Sequence, residues 1–248
     1  MIAARWAMLA LSLMLVLAAL GAISEHWQPS ALRLLATAGV GLLAPLFWPG
    51  SGATAPRTAA RIVGWSAAAA ALAAAALLVV GRPVQPLWPV IKACAVLMLM
   101  LVLVHTLIAA LEAHWRRRSV DAQDAREQSS CTAVMTLALL GSVPLWCGPV
   151  AQLLAARQAW IVDTVVGISP LTHLAVASSN DLLRNEWFYQ HSNLASLQVT
   201  YPGLAWIAWS YGSVCAVLAI IALANIALAF GRPQGRIDDT THSHSLKE

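Results

Sequence analysis

Charge is what this chain has least of. Asp, Glu, Lys and Arg make up 10% of the 248 residues, where about 25% is ordinary for a soluble domain. Hydrophobic residues reach 59% and fall in long uncharged runs, which excludes a soluble globular class. The formal charge of +4 implies no nucleic-acid partner, because the basic residues sit at the ends of those runs, where membrane orientation requires them. Cysteine is sparse too. Cys94, Cys131, Cys147 and Cys215 form no C-x-x-C pair and read as small packing residues, not as zinc ligands or a disulfide framework. There is no phosphate-cradling glycine loop, no H-E-x-x-H and no nucleophile elbow. A soluble-type active site is not indicated, and the chain is expected to be no enzyme and to carry no cofactor. No internal repeat is visible.

What is present is a series of apolar runs, at about 6–23, 31–48, 62–80, 88–111, 132–155 and 204–230. A helix needs about 20 such residues to cross a bilayer core. Unpaired backbone cannot face lipid, so the runs are expected to be helical. They are too long for the alternating strands of a barrel. The fold class expected is all-α: a polytopic membrane helix bundle over 1–230 with six transmembrane helices, followed by a polar tail at 231–248. The first run, Trp6–Ile23, resembles a signal peptide but exceeds the usual ~7–15-residue apolar core, so it is read as a retained span. Arg33 lies near one end of the second run, where it can snorkel. The third run is almost all small residues, which favours a place inside the bundle. Gly141, Pro144, Gly148 and Pro149 predict a kink or unwound segment in the fifth.

Orientation follows from basic residues. With the N-terminus inside, the inner segments hold Arg5, Arg57, Arg61, Arg116, Arg117, Arg118, Arg126, Arg232, Arg236 and Lys247. The outer segments hold only Arg82, Arg157 and Arg184. The positive-inside rule then places both termini in the cytoplasm of a plasma (inner) membrane protein. Trp6, Trp27, Trp48, Trp88, Trp115, Trp160, Trp187 and Trp206 fall near span ends, where indoles favour the interface.

The outer segment between spans five and six, 156–203, is the longest stretch outside the runs that still looks folded. Ser169-Pro170 is a helix start, a capping residue followed by proline at the first turn. Helical spacing from there to Arg184 puts Leu171, Leu174, Ala175, Ser178 and Leu182 on one face and His173, Ala177, Asn180 and Arg184 on the other. Such a helix is too short to span and is expected to lie in the interface or to dip in as a re-entrant element. Asn185–Tyr201 then reads as a loop of aromatics and amides. Two readings stand. The segment is a structural seal, or His173, Asn180, Arg184 and His191 line a binding or exit site for a polar or anionic group. A metal or haem held by His173 and His191 is a further alternative, though nothing else has ligand spacing. Within the spans, His105 and Glu112 are seven apart on one helix face, and an intramembrane ionisable residue is a functional candidate by default.

The sequence SPLTHLAVASSNDLLR at Ser169–Arg184 resembles the N-P-L-T-x-x-x-x-x-x-R segment between the last two helices of type-2 ABC transporter permeases. The resemblance extends at most over Thr132–Phe230. It implies six helices with cytoplasmic termini, a short outer re-entrant element before the last helix, a separate ATPase subunit and an oligomer. Two family features lack a counterpart: an amphipathic helix before the first span, and a coupling helix in the loop Pro49–Arg61. The function it implies is a permease-like component exporting a hydrophobic or lipid-linked substrate from the surrounding membrane lipid. The alternative is a non-transporting membrane subunit of a respiratory or cytochrome-associated complex.

Overall fold

The computed structural model describes residues 29–52, 54–80, 86–118, 120–147, 160–184 and 200–230, with a few single positions outside them, and every regular element among these is helical. The elements are α1 (Pro29–Leu46), α2 (Ala55–Val80), α3 (Leu87–Arg117), α4 (Ala122–Trp146), α5 (Trp160–Ile168), α6 (Pro170–Ala177), a 3-10 turn (Leu182–Arg184) and α7 (Leu204–Phe230). Five of them, α1 to α4 and α7, are long and apolar enough to cross a membrane, and the bent pair α5–α6 brings the number to six if it counts as one crossing. The chain is thus a multi-pass membrane protein by its helices. Most of the run Trp6–Ile23, the loop containing His191, and the tail 231–248 lie outside the described residues.

The hub is α3. It packs against α1, α2, α4, α6 and α7, and a buried stripe runs along it from Val90 through Leu97, Leu101 and Ile108 to Glu112. At 1.5 Å per residue its 31 residues span about 46 Å, well past a hydrocarbon core of about 30 Å. Gly41 lets α1 approach: a Cβ there would lie 2.5 Å from Met100 Cε on α3. The small-residue helix α2 turns one face inward, with Ser66, Ala69, Ala70, Ala73, Ala76 and Leu77 buried. Its other face stays exposed, so its expected place inside the bundle holds for one face only.

Several boundaries differ from the hydropathy reading. α3 runs on to Arg117 and α4 starts at Ala122, so the basic loop shrinks to a short turn. Its α4 end is closed by Asp121, whose carboxylate accepts from Gln123 N at 3.0 Å. Hydropathy detects contact with lipid, whereas a helix continues through polar sequence whenever its backbone and caps are satisfied. At the other end α4 stops at Cys147, ahead of Gly148-Pro149, with Pro144 still inside it.

Contacts fix the relative ends. The C-terminal end of α1, the start of α2 and the end of α3 meet at Gly50–Gly52. The start of α1 and the end of α6 meet at the opposite pole, where Asn180 Nδ2 donates to Ser30 Oγ at 3.3 Å. At that same pole, Asp163 near the start of α5 accepts from Thr200 N, just before α7, at 3.1 Å.

Candidate functional site

Between α5 and α6 the chain turns by 83° at Ser169. Proline at the first position of α6 makes the turn, since it needs no backbone donor there. The Ser169 side chain does not cap its own helix. Its hydroxyl donates instead to the Gly141 carbonyl of α4 at 3.0 Å. Thr172 Oγ1 lies within hydrogen-bond reach of both the Val166 and Ser169 carbonyls. The polar groups exposed by the bend are therefore met inside the protein, the condition for irregular backbone at membrane depth.

His173 ties this elbow to α7. Its Nε2 lies 2.9 Å from the Gly167 carbonyl, which can only accept, so that nitrogen carries the proton. Nδ1 of the neutral ring then accepts from the Tyr211 hydroxyl at 2.9 Å. The ring meets Trp206 and Tyr211 edge-on. Helical spacing put His173 on an exposed polar face, but it is only 4% exposed. The helix is buried on both faces, Leu174 as well as His173, because it is wedged among α1, α3, α4 and α7. Both ring nitrogens are engaged, which leaves no lone pair for a metal. No group of three His, Cys, Asp or Glu side chains is arranged for a metal ion among the described residues.

The expected fifteen-residue helix is half that length. α6 ends at Ala177 in a Schellman motif: Ser179 takes φ 55°, its N–H donates to Val176 O at 3.1 Å, and Asn180 N donates to Ala175 O at 2.9 Å. Ser178, Ser179 and Asn180 are short polar residues that favour such ends over helix interiors. The remaining orphan carbonyl, Ser178 O, accepts from Arg33 Nε (3.2 Å) and Nη2 (2.9 Å). Arg33 does not snorkel. It is buried, and its cation faces the negative end of α6. No signal within either segment pairs these two residues, which stand 145 positions apart.

The other candidates separate. Asn180 faces Ser30 of α1. Arg184 is exposed and pairs with Asp181 at 3.4 Å. Asp181 in turn accepts from Tyr201 Oη at 2.6 Å, and that oxygen accepts from Leu183 N at 3.1 Å. Burial, then the hydrogen bond to Asp181, raises the Tyr201 phenol above its ordinary range. His173, Asn180 and Arg184 thus meet three different partners and do not converge on one site. His191 lies outside the described residues.

His105 and Glu112 sit one above the other on α3 and both are fully buried. His105 Nδ1 lies 2.9 Å from Ser66 Oγ on α2, and its ring stacks on Trp48 at 4.9 Å. Trp48 therefore packs inside the bundle and not in the interface, unlike the exposed Trp88, Trp160 and Trp206. The Glu112 carboxylate accepts from Ser51 N (3.0 Å) and Ser51 Oγ (2.7 Å) and pairs with Arg116.

One cavity of about 220 Å³ opens among these elements. Its walls come from α1 (Ala38, Leu42), α3 (Met100), α4 (Leu137, Gly141, Ser142, Leu145) and α6 (Leu171, Leu174). No titratable side chain lines it. The sequence singled out the outer segment 156–203, but the cavity depends on how four helices pack and left no local trace. Comparison with protein families, with curated proteins and with solved structures finds no match.

Proposed function

We propose that this chain is a transport component that exports a hydrophobic or lipid-linked substrate across the plasma (inner) membrane, driven by a separate ATPase subunit and acting as an oligomer. The observation that carries this reading is the cavity beneath the elbow. It lies between membrane-crossing helices and is lined almost wholly by apolar side chains, and an apolar cavity of this size stays dry and accepts apolar ligands. In this reading α5–α6 is a re-entrant element. Its support is that Asp163 and Asn180, at either end of the pair, both bond to residues at one pole of the bundle. With Trp6–Ile23 as a further span, the count becomes six, both termini lie in the cytoplasm, and the elbow opens outward.

Two measurements test the proposal. Ala38→Phe fills the cavity. It is expected to abolish photolabelling by an acyl-chain probe while the melting temperature holds or rises. Undiminished labelling overturns the cavity as substrate site. A mild-detergent pull-down is expected to recover an ATPase subunit; haem absorbance or redox subunits in its place would establish the respiratory alternative.

A further inference from the structure

The pole opposite the elbow gathers arginines from three helices onto one tripeptide. Gly50 there has φ +93°, a conformation open to glycine. Arg61 of α2 donates through Nη1 to the Gly50 (3.1 Å) and Ser51 (3.2 Å) carbonyls. Arg116 of α3 pairs with Glu112, whose other oxygen holds Ser51. The stem of Arg126 from α4 lies over Gly50, where an added Cβ would meet its Cδ at 3.4 Å. The Arg126 guanidinium has no hydrogen bond or ion pair among the described residues. Glu112 is the one buried carboxylate in this group and is already occupied. Of the nearby acids, Asp121 caps α4 and Glu127 accepts from Gln123 Nε2 at 3.0 Å.

We propose that Arg61, Arg116 and Arg126 form a binding site for the phosphodiester headgroup of an anionic phospholipid. Three guanidinium groups against one buried carboxylate, with Asp121, Asp124 and Glu127 turned to the exposed side of α4, leave a local excess of positive charge that an anion complements. The guanidinium fork matches two phosphate oxygens at once. Arg61 keeps its remaining N–H groups and Arg126 its whole fork for that purpose, while Glu112 and Ser51 hold the turn between them rigid. The location selects a lipid as the source of the phosphate. The turn sits where α1 ends and α3 emerges from its apolar stretch, at headgroup level for helices of this length.

The test uses the full-length chain in nanodiscs of phosphatidylcholine mixed with phosphatidylglycerol, followed by native mass spectrometry of the lipid retained after release. Preferential retention of phosphatidylglycerol is expected. Arg126→Gln is expected to lower that retention about fivefold, the effect of one basic residue near a membrane surface. Because Arg126 bonds to no other described residue, this variant keeps the fold. Arg117→Gln removes the same charge from the neighbouring turn and is expected to leave retention unchanged. Equal losses in both variants would reduce the effect to diffuse surface charge and overturn the site. Retention without headgroup preference overturns it as well. Excess inorganic phosphate is expected not to displace the lipid; full displacement would make it a free-anion site and overturn the lipid assignment.

Discussion

At the level of single residues, the polar side chains of the elbow pole act mostly on one another. Tyr201 is the clearest case, because one hydroxyl joins the 3-10 turn to Asp181 by donating and accepting at once. Its raised pKa has a stability consequence. The folded state holds the phenol proton more tightly than the unfolded chain, so this contribution is complete below the unfolded value near 10 and declines as pH rises past it. The melting temperature in detergent is therefore expected to fall above about pH 10, and Tyr201→Phe is expected to flatten that fall. The same variant is expected to lose about 1 kcal/mol at neutral pH, mainly through the Leu183 N–H left without its partner, since Asp181 is exposed and keeps Arg184. An identical alkaline profile in both proteins would mean that Tyr201 is not the group responsible. Arg184 contrasts with it. Its ion pair is exposed, and such pairs contribute little. Helical spacing singled out both His173 and Arg184, but spacing reports an angle around one helix and not which neighbours close over it. That is why a residue placed on a polar face turned out to be core.

At the level of elements, α6 is held by its ends more than by its own eight residues. A helix this short is not stable alone. Ser169 pins its start to α4, His173 fixes its middle to α7, and Arg33 neutralises its finish from α1. Arg33→Ala is expected to cost about 1.5–3 kcal/mol, because it removes a charged donor from a buried carbonyl. Arg33→Lys keeps the charge without the fork and is expected to recover part of that. Hydrogen exchange at the Ser178–Asn180 amides checks the location: exchange should accelerate there before it does in α3. Uniform exchange across the bundle would instead mark Arg33 as general packing. The start of α6 was legible because Ser-Pro acts within two residues of itself. Its end was not. The apolar spacing continued to Leu182, and only the competing hydrogen bonds of Ser178, Ser179 and Asn180 stopped the helix. The long spans were legible for the opposite reason, since lipid demands a continuous apolar run that nothing local overrides.

At the level of the whole molecule, polarity rests on which helix ends meet. The Gly50–Gly52 pole joins the end of α1, the start of α2, the end of α3 and the start of α4 through Glu112, Arg61, Arg116 and Arg126. The other pole joins the start of α1 to the end of α6, and the start of α5 to the approach to α7. In the re-entrant reading the chain enters and leaves the elbow at one pole without crossing, and α7 then runs parallel to α3. Thiol labelling in sealed, oriented vesicles distinguishes the two topologies. In a background with the four native cysteines replaced by alanine, Asp163→Cys, Ser179→Cys and Gln123→Cys each place a thiol at an exposed position. An impermeant maleimide is expected to reach Asp163→Cys and Ser179→Cys from the outer side and Gln123→Cys only from the cytoplasmic side. If the first two label from opposite sides, α5–α6 is a broken span and the membrane order of α7 inverts. If all three invert together, the elbow remains re-entrant but the positive-inside assignment fails, and the arginine pole faces the outer leaflet.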